Sequence, residues 1–273
     1  MGFRPNGIVT FTTDFGLADG YSGAMKGAAL TIWRDLTLVD ISHEVPPQDV
    51  IRGAIILRNV ANRFPAGTVH LAVVDPGVGT ARAAVVVQAG GHVLVGPDNG
   101  LLKLAVNRLG PSLAWRIERH HFLPAHISST FHGRDVFAPT AAALAAGLLL
   151  PREVGSPLQD FAPLDLPVAV RDHDVIAAQV LYADRFGNAI TNATAAQVAA
   201  LSSQGQLRVR MPDGTALPLR ATYAEVANGE PLALIGSDGL LEVAVRDGSA
   251  QERFALCAGA AVLVGLAPRQ VDG

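Results

Sequence analysis

The 273-residue sequence predicts an α/β protein: an N-terminal α/β domain with a largely parallel sheet, then a small C-terminal antiparallel β-barrel domain. Three observations carry that expectation. Strand-like and helix-like segments alternate through the first half, the pattern of a sheet covered by helices on both faces. After residue 150 the helical period nearly disappears, and short apolar runs separated by Gly and Asp-Gly turns take over. Between the halves lies PREVGSPLQDFAPLDLPVAV (151–170), with four prolines and no clear period, which suits a linker. The domains are therefore expected at 1–165 and 166–273.

Each element follows from its local pattern. GIVTFTT (7–13) is a β-branched strand ending in Asp14-Phe15-Gly16, and YSGAMKGAALTIW (21–33) has helical spacing. LTLVDIS (36–42) is a strand; DVIRGAIILRNVANRF (49–64) is an amphipathic helix with Arg52, Arg58 and Arg63 near its polar side. TVHLAVVD (68–75) is a strongly apolar strand, and AAVVVQAGGHVLVG (83–96) a hairpin turning at Gly90-Gly91. GLLKLAVNRLG (100–110) is a helix closed by glycine, and LAWRIE (113–118) a further strand. VFAPTAAALAAGLLL (136–150) reads as a buried helix. In the second half, 174–184 and 188–192 flank an Arg-Phe-Gly turn, and TAAQVAAL (194–201) is the one expected helix. Residues 207–221 and 232–245 form hairpins, and 253–266 a final strand or pair.

Composition excludes several classes. Apolar residues are 49% and charged residues 16% of the chain, with mean hydropathy +0.31, which excludes an intrinsically disordered protein. Lys plus Arg is 21 against 24 Asp plus Glu, a formal charge of −3 that argues against a dedicated nucleic-acid binder. Gly (28) and Pro (17) follow no three-residue period, so collagen is excluded. A single cysteine, Cys257, forbids an internal disulfide framework and a multi-cysteine zinc site, and fits a reducing compartment. The N-terminal segment reaches an acidic residue too early for a signal peptide, and Asn6 stands where myristoylation needs Ser or Thr. The most apolar run, 136–150, is shorter than the roughly 20 residues a bilayer span needs and contains Pro139. The expectation is a soluble cytoplasmic protein with no membrane or nucleic-acid partner.

In open α/β sheets ligands sit beyond the carboxyl ends of the strands, so the residues just after each strand are the first candidates. Asp14, after the first strand, suits both hydroxyls of a ribose, or else the N-cap of the next helix. Asp75 ends an apolar strand, and Arg82 can turn back across the glycine-containing loop to pair with it, as a functional array or as a brace for the loop. That loop lacks the Lys-Ser/Thr ending of a P-loop and the third glycine of a dinucleotide fingerprint. His132, before a glycine at a helix entry, is suited to ligand contact and titration near neutrality, though seven other histidines compete. His120-His121 invites a metal reading, but neighbours on a strand face opposite ways and no His-x-x-His helical spacing occurs, so no metal is expected. In the second half, Asp184, Phe186 and Asn188 share one turn that offers a carboxylate, an aromatic ring and an amide; a plain turn capped by Asp is the alternative. Ser237 in the Gly-Ser-Asp-Gly turn suits a carboxylate or simply the turn, and Glu242 is either a charge on the strand face or an inward anchor.

Seven motifs occur in order: FTTDFG (11–16), DGYSGAMKG (19–27), VVDPGVGTAR (73–82), GPDNGLL (96–102), TFHGRDVFAP (130–139), DRFGNAITN (184–192) and IGSDGLLEVAV (235–245). Over about residues 7–266 the chain resembles the S-adenosylmethionine (SAM) hydroxide adenosyltransferase family, the adenosine-forming SAM hydrolases, relatives of the SAM-dependent fluorinase and chlorinase. The resemblance implies conversion of SAM and water to adenosine and L-methionine, with SAM as substrate and no cofactor. It implies Asp75, Arg82 and His132 as a water-activating triad and Asp14 as ribose ligand. It places Asp184 on the methionine ammonium, with Asp19 as a second contact, Phe186 and Asn188 on adenine, Tyr223 near the base, and Ser237 on the methionine carboxylate. It further implies a homotrimer with each site between neighbouring subunits. Two departures set the chain apart from the fluorinase: Asp75-Pro76-Gly77-Val78 replaces a tyrosine-led loop, and Gly133 replaces a halide-binding serine, although the chlorinase also has glycine there. The alternatives are a chloride-dependent halogenase and a non-catalytic SAM or adenosine sensor; a histidine metallohydrolase is a further rival.

Overall fold

The computed structural model describes residues 2–118 and 120–267. The chain divides into two compact units, Met1–Asp165 and Leu166–Gly273.

The first unit is built on a seven-stranded sheet in the order β2-β1-β3-β5-β4-β6-β7. Its strands are β1 (Ile8–Thr13), β2 (Thr37–Ser42), β3 (Val69–Val73), β4 (Ala84–Ala89), β5 (His92–Pro97), β6 (Ser112–Arg116) and β7 (Pro157–Leu158). β2, β1, β3 and β5 run parallel. β4 is antiparallel to β5 and β6, and β7 antiparallel to β6, so β6 shares the direction of the first four. The sheet is thus mixed and mostly parallel. β3 is buried along its whole length, which explains its continuous apolar sequence. Its alternation still sorts the core. Val69, Leu71 and Val73 join Phe11, Met25, Phe137 and Leu144 on one face, while Ala72 and Val74 join Ala54, Leu57 and Leu101 on the other.

Helices cover both faces. α1 (Tyr21–Ile32) packs with α4 (Ala138–Ala145), and α2 (Val50–Ala61) with α3 (Lys103–Leu109). α2 starts where Asp49 accepts the Arg52 N–H at 2.9 Å, and α3 ends at Gly110 with φ 107°. The chain passes from β1 through α1 to β2, then crosses through α2 to β3 on the other side of β1. The strand order therefore reverses at the β1/β3 boundary, and that switch point opens a crevice at the strands' carboxyl ends.

Some elements differ from their sequence expectation. The helix expected over 136–150 is a π-helical turn, Gly133–Phe137, followed by the shorter α4. Much of the expected linker 151–170 belongs to the first unit. Pro151–Glu153 form a 3-10 turn, β7 pairs with β6, and the Ala162 N–H donates to Asp98 at 2.6 Å. Proline punctuation here marks an edge strand and packed loop rather than free chain.

The second unit is an antiparallel sheet in the order β12-β11-β15-β9-β10-β14-β13, with β8 beside β9. Its strands are β8 (Val170–Asp172), β9 (Val175–Ala183), β10 (Ala189–Thr194), β11 (Leu207–Arg210), β12 (Ala216–Pro218), β13 (Pro231–Ile235), β14 (Leu240–Val245) and β15 (Ala261–Leu266). The ends of the sheet meet just past β12, where Leu219 bridges Ala233 and the Arg220 N–H donates to the Ala233 carbonyl at 2.8 Å. The barrel is therefore nearly closed. Ile176, Val180, Val209, Val243 and Val264 fill its interior. α5 (Ala195–Ser202) starts with a capping box between Thr194 and Gln197. Residues 253–266 hold the single strand β15, and a four-residue helix α6 (Ala250–Arg253), capped by Ser249, lies where no helix was expected. Four residues are too short to leave a periodic signature.

Three side chains make a polar chain inside the first unit. Thr10 Oγ1 lies 2.9 Å from His70 Nδ1, and His70 Nε2 lies 3.2 Å from His92 Nδ1. Burial, reinforced by His92, pushes the His70 imidazole down to about 3 from 6.5. The native state thus resists a proton that the unfolded chain takes up below pH 6.5. Stability from this group is full above that pH and declines until His70 itself titrates near 3. Urea unfolding should accordingly show stability falling from pH 6.5 toward pH 4, and less steeply in His70→Gln. Equal slopes in the two proteins would remove the burial argument.

Candidate active site

The crevice at the β1/β3 boundary holds a cavity of about 580 Å³. Its walls include Asp14 and Phe15 after β1, Asp75, Pro76 and Val78 after β3, Gln48 before α2, and Ser128 and Thr130 to Arg134 at the entry of the π-helical turn. Its place follows from topology, its chemistry from the three loops that meet there.

The loop after β3 closes on itself. The Val78 N–H donates to the Asp75 carbonyl at 3.2 Å and the Thr80 N–H to the Gly77 carbonyl at 3.1 Å. Gly79, at φ 78°, takes a conformation L-residues avoid, and an added Cβ would press on the Ser129 carbonyl at 2.6 Å. This reversal returns Arg82 to Asp75. Arg82 Nε donates to Asp75 Oδ1 at 2.9 Å, and Nη2 donates to Oδ2, so the pair is bidentate. The two side chains are only 10% and 5% exposed, so each charge depends on the other. Nη2 also lies 2.9 Å from His132 Nδ1, and the guanidinium stands 5.3 Å over the Phe137 ring. Asp75 and His132 line the cavity, whereas Arg82 lies behind them, bonded to both. Burial lowers the His132 pKa below the ordinary histidine value, with the Arg82 charge acting the same way and Asp75 and Asp135 opposing.

Asp14 is not a helix cap: α1 begins at Tyr21 after Gly20. Its Oδ2 accepts the Gln48 N–H at 2.8 Å. Gln48 has φ 66°, unusual for a residue with a side chain, and this turns its N–H toward the carboxylate. The preceding residue is fixed too. Thr13 Oγ1 lies 2.8 Å from His43 Nδ1, and His43 Nε2 lies 3.0 Å from Asp40, which also binds Lys26 at 2.6 Å. Asp19 is exposed among bends before α1 and is not among the residues lining the cavity.

The sequence motifs did not single out Gln48, Phe15, Tyr21, Phe131 and Arg134 as site residues. Phe15, Tyr21 and Phe131 pack edge to face with centroids 5.3–6.1 Å apart. Phe15, Tyr21, Phe131 and Arg134 sit inside the seven motifs, so that signal was present. Gln48 had none, because a positive φ on a glutamine leaves no mark in sequence.

In the second unit, Asp184, Phe186 and Asn188 share the turn between β9 and β10. Asp184 Oδ1 accepts the N–H groups of Phe186 at 2.8 Å and Asn188 at 2.9 Å, and Oδ2 accepts the Asn188 side-chain amide at 3.1 Å. The carboxylate thus does cap the turn, which presents Phe186 78% exposed while Asn188 is buried. Ser237 is exposed in the turn between β13 and β14. Tyr223 lies in a 3-10 turn, and its hydroxyl donates to Glu242 on β14. Glu242 is neither a surface charge nor an inward anchor: it is buried on the strand face opposite the barrel interior, across from Leu234, while its neighbours Leu241 and Val243 join the barrel core. Burial raises its pKa, with Asp184 and Asp238 adding to the effect against the Tyr223 hydrogen bond. His120, half of the adjacent histidine pair, bonds Thr140 Oγ1 at 3.0 Å. Among the described residues no three His, Cys, Asp or Glu side chains gather in a metal-binding group.

The fold and site define a two-domain protein, α/β followed by β-barrel, whose strand ends present a buried acid–guanidinium–imidazole array to a ligand-sized cavity. Comparison with known proteins gives this class its particular member. The SAM hydroxide adenosyltransferase N-terminal domain matches residues 9–155, and the C-terminal domain of the same family matches residues 178–263. The chain belongs to the SAM hydroxide adenosyltransferase family. It is 40% identical to the (R)-S-adenosyl-L-methionine hydrolase of Salinispora tropica over 265 residues, 93% of this chain and 96% of that protein. It is 43% identical to the protein of that name from Thermus thermophilus over 255 residues, 91% and 95% of the two chains. The crystal structure of an uncharacterized conserved protein from Thermotoga maritima matches with TM-score 0.88 and 33% identity, covering 94% of this chain and 99% of that one.

The buried Glu242 makes a prediction of its own. Its raised pKa means the fold prefers the uncharged acid, so its contribution is full below the unfolded value near 4.5 and is lost as pH rises through the native one. Between pH 4.5 and 8 the melting temperature should drop further in the wild type than in Glu242→Gln. A parallel drop in both would show that Glu242 pays no burial cost.

Proposed function

We propose that this chain hydrolyses S-adenosylmethionine to adenosine and L-methionine, with Asp75, Arg82 and His132 as its water-activating array. The observation that carries this reading is the bidentate Asp75–Arg82 pair joined to His132, presenting a carboxylate and an imidazole to a cavity that also exposes Asp14. The chain's family and its relatives named as hydrolases point the same way.

The chemistry follows from the substrate. Water attacks ribose C5′ in line with the sulfur, and the sulfonium leaves as a neutral thioether, so the leaving group needs no acid. The difficulty lies with the nucleophile, because bulk water has a pKa near 15.7. A dry site with fixed donors and a carboxylate raises the reactivity of one held water. Asp14 binds the ribose hydroxyls. Asp184 holds the methionine ammonium with Asp19 as a second contact, Phe186 and Asn188 contact adenine, Tyr223 stands near the base, and Ser237 takes the methionine carboxylate. Holding both ends of SAM sets the attack angle, and positioning of this kind contributes several kcal/mol. SAM is the substrate, and no cofactor or metal enters the scheme. The reading includes a cytoplasmic setting, which the lone Cys257 suits; no described helix is long and apolar enough to cross a membrane.

A halogenase reading fits less well. The Asp75 carboxylate in the cavity wall repels a halide; a Cβ at Gly133 would also meet Met25 Sδ at 3.1 Å and the Phe131 and Phe15 rings at 3.3 Å, which crowds the fluorinase's serine but does not bear on chloride. Purified protein incubated with SAM in chelated, chloride-free buffer should yield adenosine and methionine in equal amounts by chromatography. A chloride requirement with chloroadenosine as product would replace the proposal with the halogenase, and bound SAM without product would replace it with a sensor. Arg82→Ala and His132→Ala should each lower kcat by about 10²-fold or more. Asp14→Ala should chiefly weaken adenosine affinity in calorimetry. Near-normal rates in the first two variants would remove the array.

The active assembly in this reading is a homotrimer, each site taking its first unit from one subunit and its second from the next. The exposed rings of Phe186 (78%) and Tyr223 (41%) suit such a shared site. Co-expression of Arg82→Ala with Ser237→Ala chains tests it. Random assembly places two intact halves together in about a quarter of the sites, so mixed trimers should regain activity that neither variant shows alone. Sites contained within one chain would give no regain.

A further inference from the structure

We infer that His132 works as a neutral imidazole with its proton on Nε2, donating a hydrogen bond to the attacking oxygen, and that it does not take the water's proton. The inference rests on the hydrolase reading above and assigns the role of one residue within it.

The argument starts from what a guanidinium can do. Arg82 carries only N–H donors, has no acceptor, and stays protonated in proteins. A ring nitrogen 2.9 Å from its Nη2 therefore meets an N–H and must offer a lone pair. His132 Nδ1 is that nitrogen, so the proton of the neutral ring resides on Nε2. An imidazolium would set N–H against N–H.

Arg82 has no freedom to turn away. Its Nε and Nη2 are fixed on the two oxygens of Asp75, Nη1 donates to the Ala83 carbonyl at 3.4 Å, and Phe137 lies beneath the guanidinium plane. The low pKa imposed on His132, by burial first and Arg82 second, also favours the neutral ring. Arg82 approaches from behind the cavity wall while His132 forms part of that wall, so the Nε2–H is the polar part of the ring left for a ligand. Arg82 is thus a positioning residue: it fixes the tautomer instead of touching the nucleophile.

The proton must then go elsewhere. Asp75 lines the same cavity, and each of its oxygens keeps a lone pair beyond the one given to Arg82. In the step, a water lone pair forms the O–C5′ bond as the C5′–S pair returns to sulfur. One water proton passes to the Asp75 carboxylate and on to solvent. SAM and water give adenosine, methionine and one proton, with His132 holding its own proton throughout.

Nitrogen-15 NMR of the full-length protein with labelled histidine reads the tautomer directly. The His132 signals are assigned by their loss in His132→Gln or, equally, His132→Asn. The expected result is an unprotonated Nδ1 and a protonated Nε2, in the free protein and with adenosine and methionine bound. A proton on Nδ1, or on both nitrogens at pH 7.5, overturns the inference. Turnover of SAM on the same sample keeps the two readings apart. Turnover with a Nδ1–H ring sinks the tautomer alone, and a Nε2–H ring without turnover sinks the hydrolase. Kinetics add a second readout. The non-basic amide of His132→Gln should keep kcat at least tenfold above His132→Ala with similar KM for SAM; equal kcat in the two variants would count against donation.

Discussion

The first unit's site depends on one requirement, that a largely buried guanidinium be fully partnered. Arg82 is 10% exposed, and a cation so far from water is tolerated only when charge and hydrogen bonds replace its hydration. Asp75 supplies both, which is why the loop between them is shaped as it is. Gly79 accepts the left-handed turn, Thr80 bonds the Gly77 carbonyl at 2.7 Å, and the chain reverses so that a residue seven positions on meets the strand's last carboxylate. Removing either partner would leave an unpaired buried charge, a far greater cost than the pair's own net contribution. The same requirement orders the imidazole, because the donor left over from Asp75 is satisfied by His132 Nδ1.

The rest of the first unit holds that array against a second rigid wall. Asp14 and Asp75 follow neighbouring strands whose register is fixed from Val9↔Val69 to Thr13↔Val73. Behind Asp14 the segment 43–48 is stitched to 13–16. Val45 N–H bonds the Thr13 carbonyl at 3.3 Å, Gly16 N–H the His43 carbonyl at 2.8 Å, and the Gln48 N–H bonds Asp14 itself. The two carboxylates therefore stand on backbone that cannot shift without breaking sheet hydrogen bonds. The strained φ of Gln48 is sustained by those contacts, as strain at functional sites generally is.

How much of this was legible in the sequence varies with the kind of information needed. All strands of the first sheet except the two-residue β7 were legible from their local patterns, and the turn at Gly90-Gly91 lies where the glycines placed it. Asp75, Arg82 and His132 were legible as motif residues. The Asp75–Arg82 pairing was legible too, since a short glycine-containing loop joins them, whereas His132 joined them only through the family resemblance, because 50 residues and a crossover separate it from Arg82. The π-helical turn was hidden: Gly133–Phe137 carries an ordinary helical pattern, and only the packed structure shows the widened turn at the site. The 151–165 segment misled because prolines mark both linkers and packed edges. Glu242 was ambiguous for the same local reason, since a lone acid in an apolar strand is buried only where a partner such as Tyr223 waits for it.

In the proposed mechanism, the choice of water over halide follows from the same buried pair. A halide entering this cavity would have to shed its hydration beside the Asp75 carboxylate, and both terms are unfavourable in a poorly solvated site. Water carries no charge to desolvate. It can donate to the carboxylate and accept from an imidazole N–H at once, which matches Asp75 in the cavity wall and the Nε2–H inferred for His132. A halide can only accept. An acceptor-only group and a donor set side by side thus select for a nucleophile with both capacities, before its reactivity is considered.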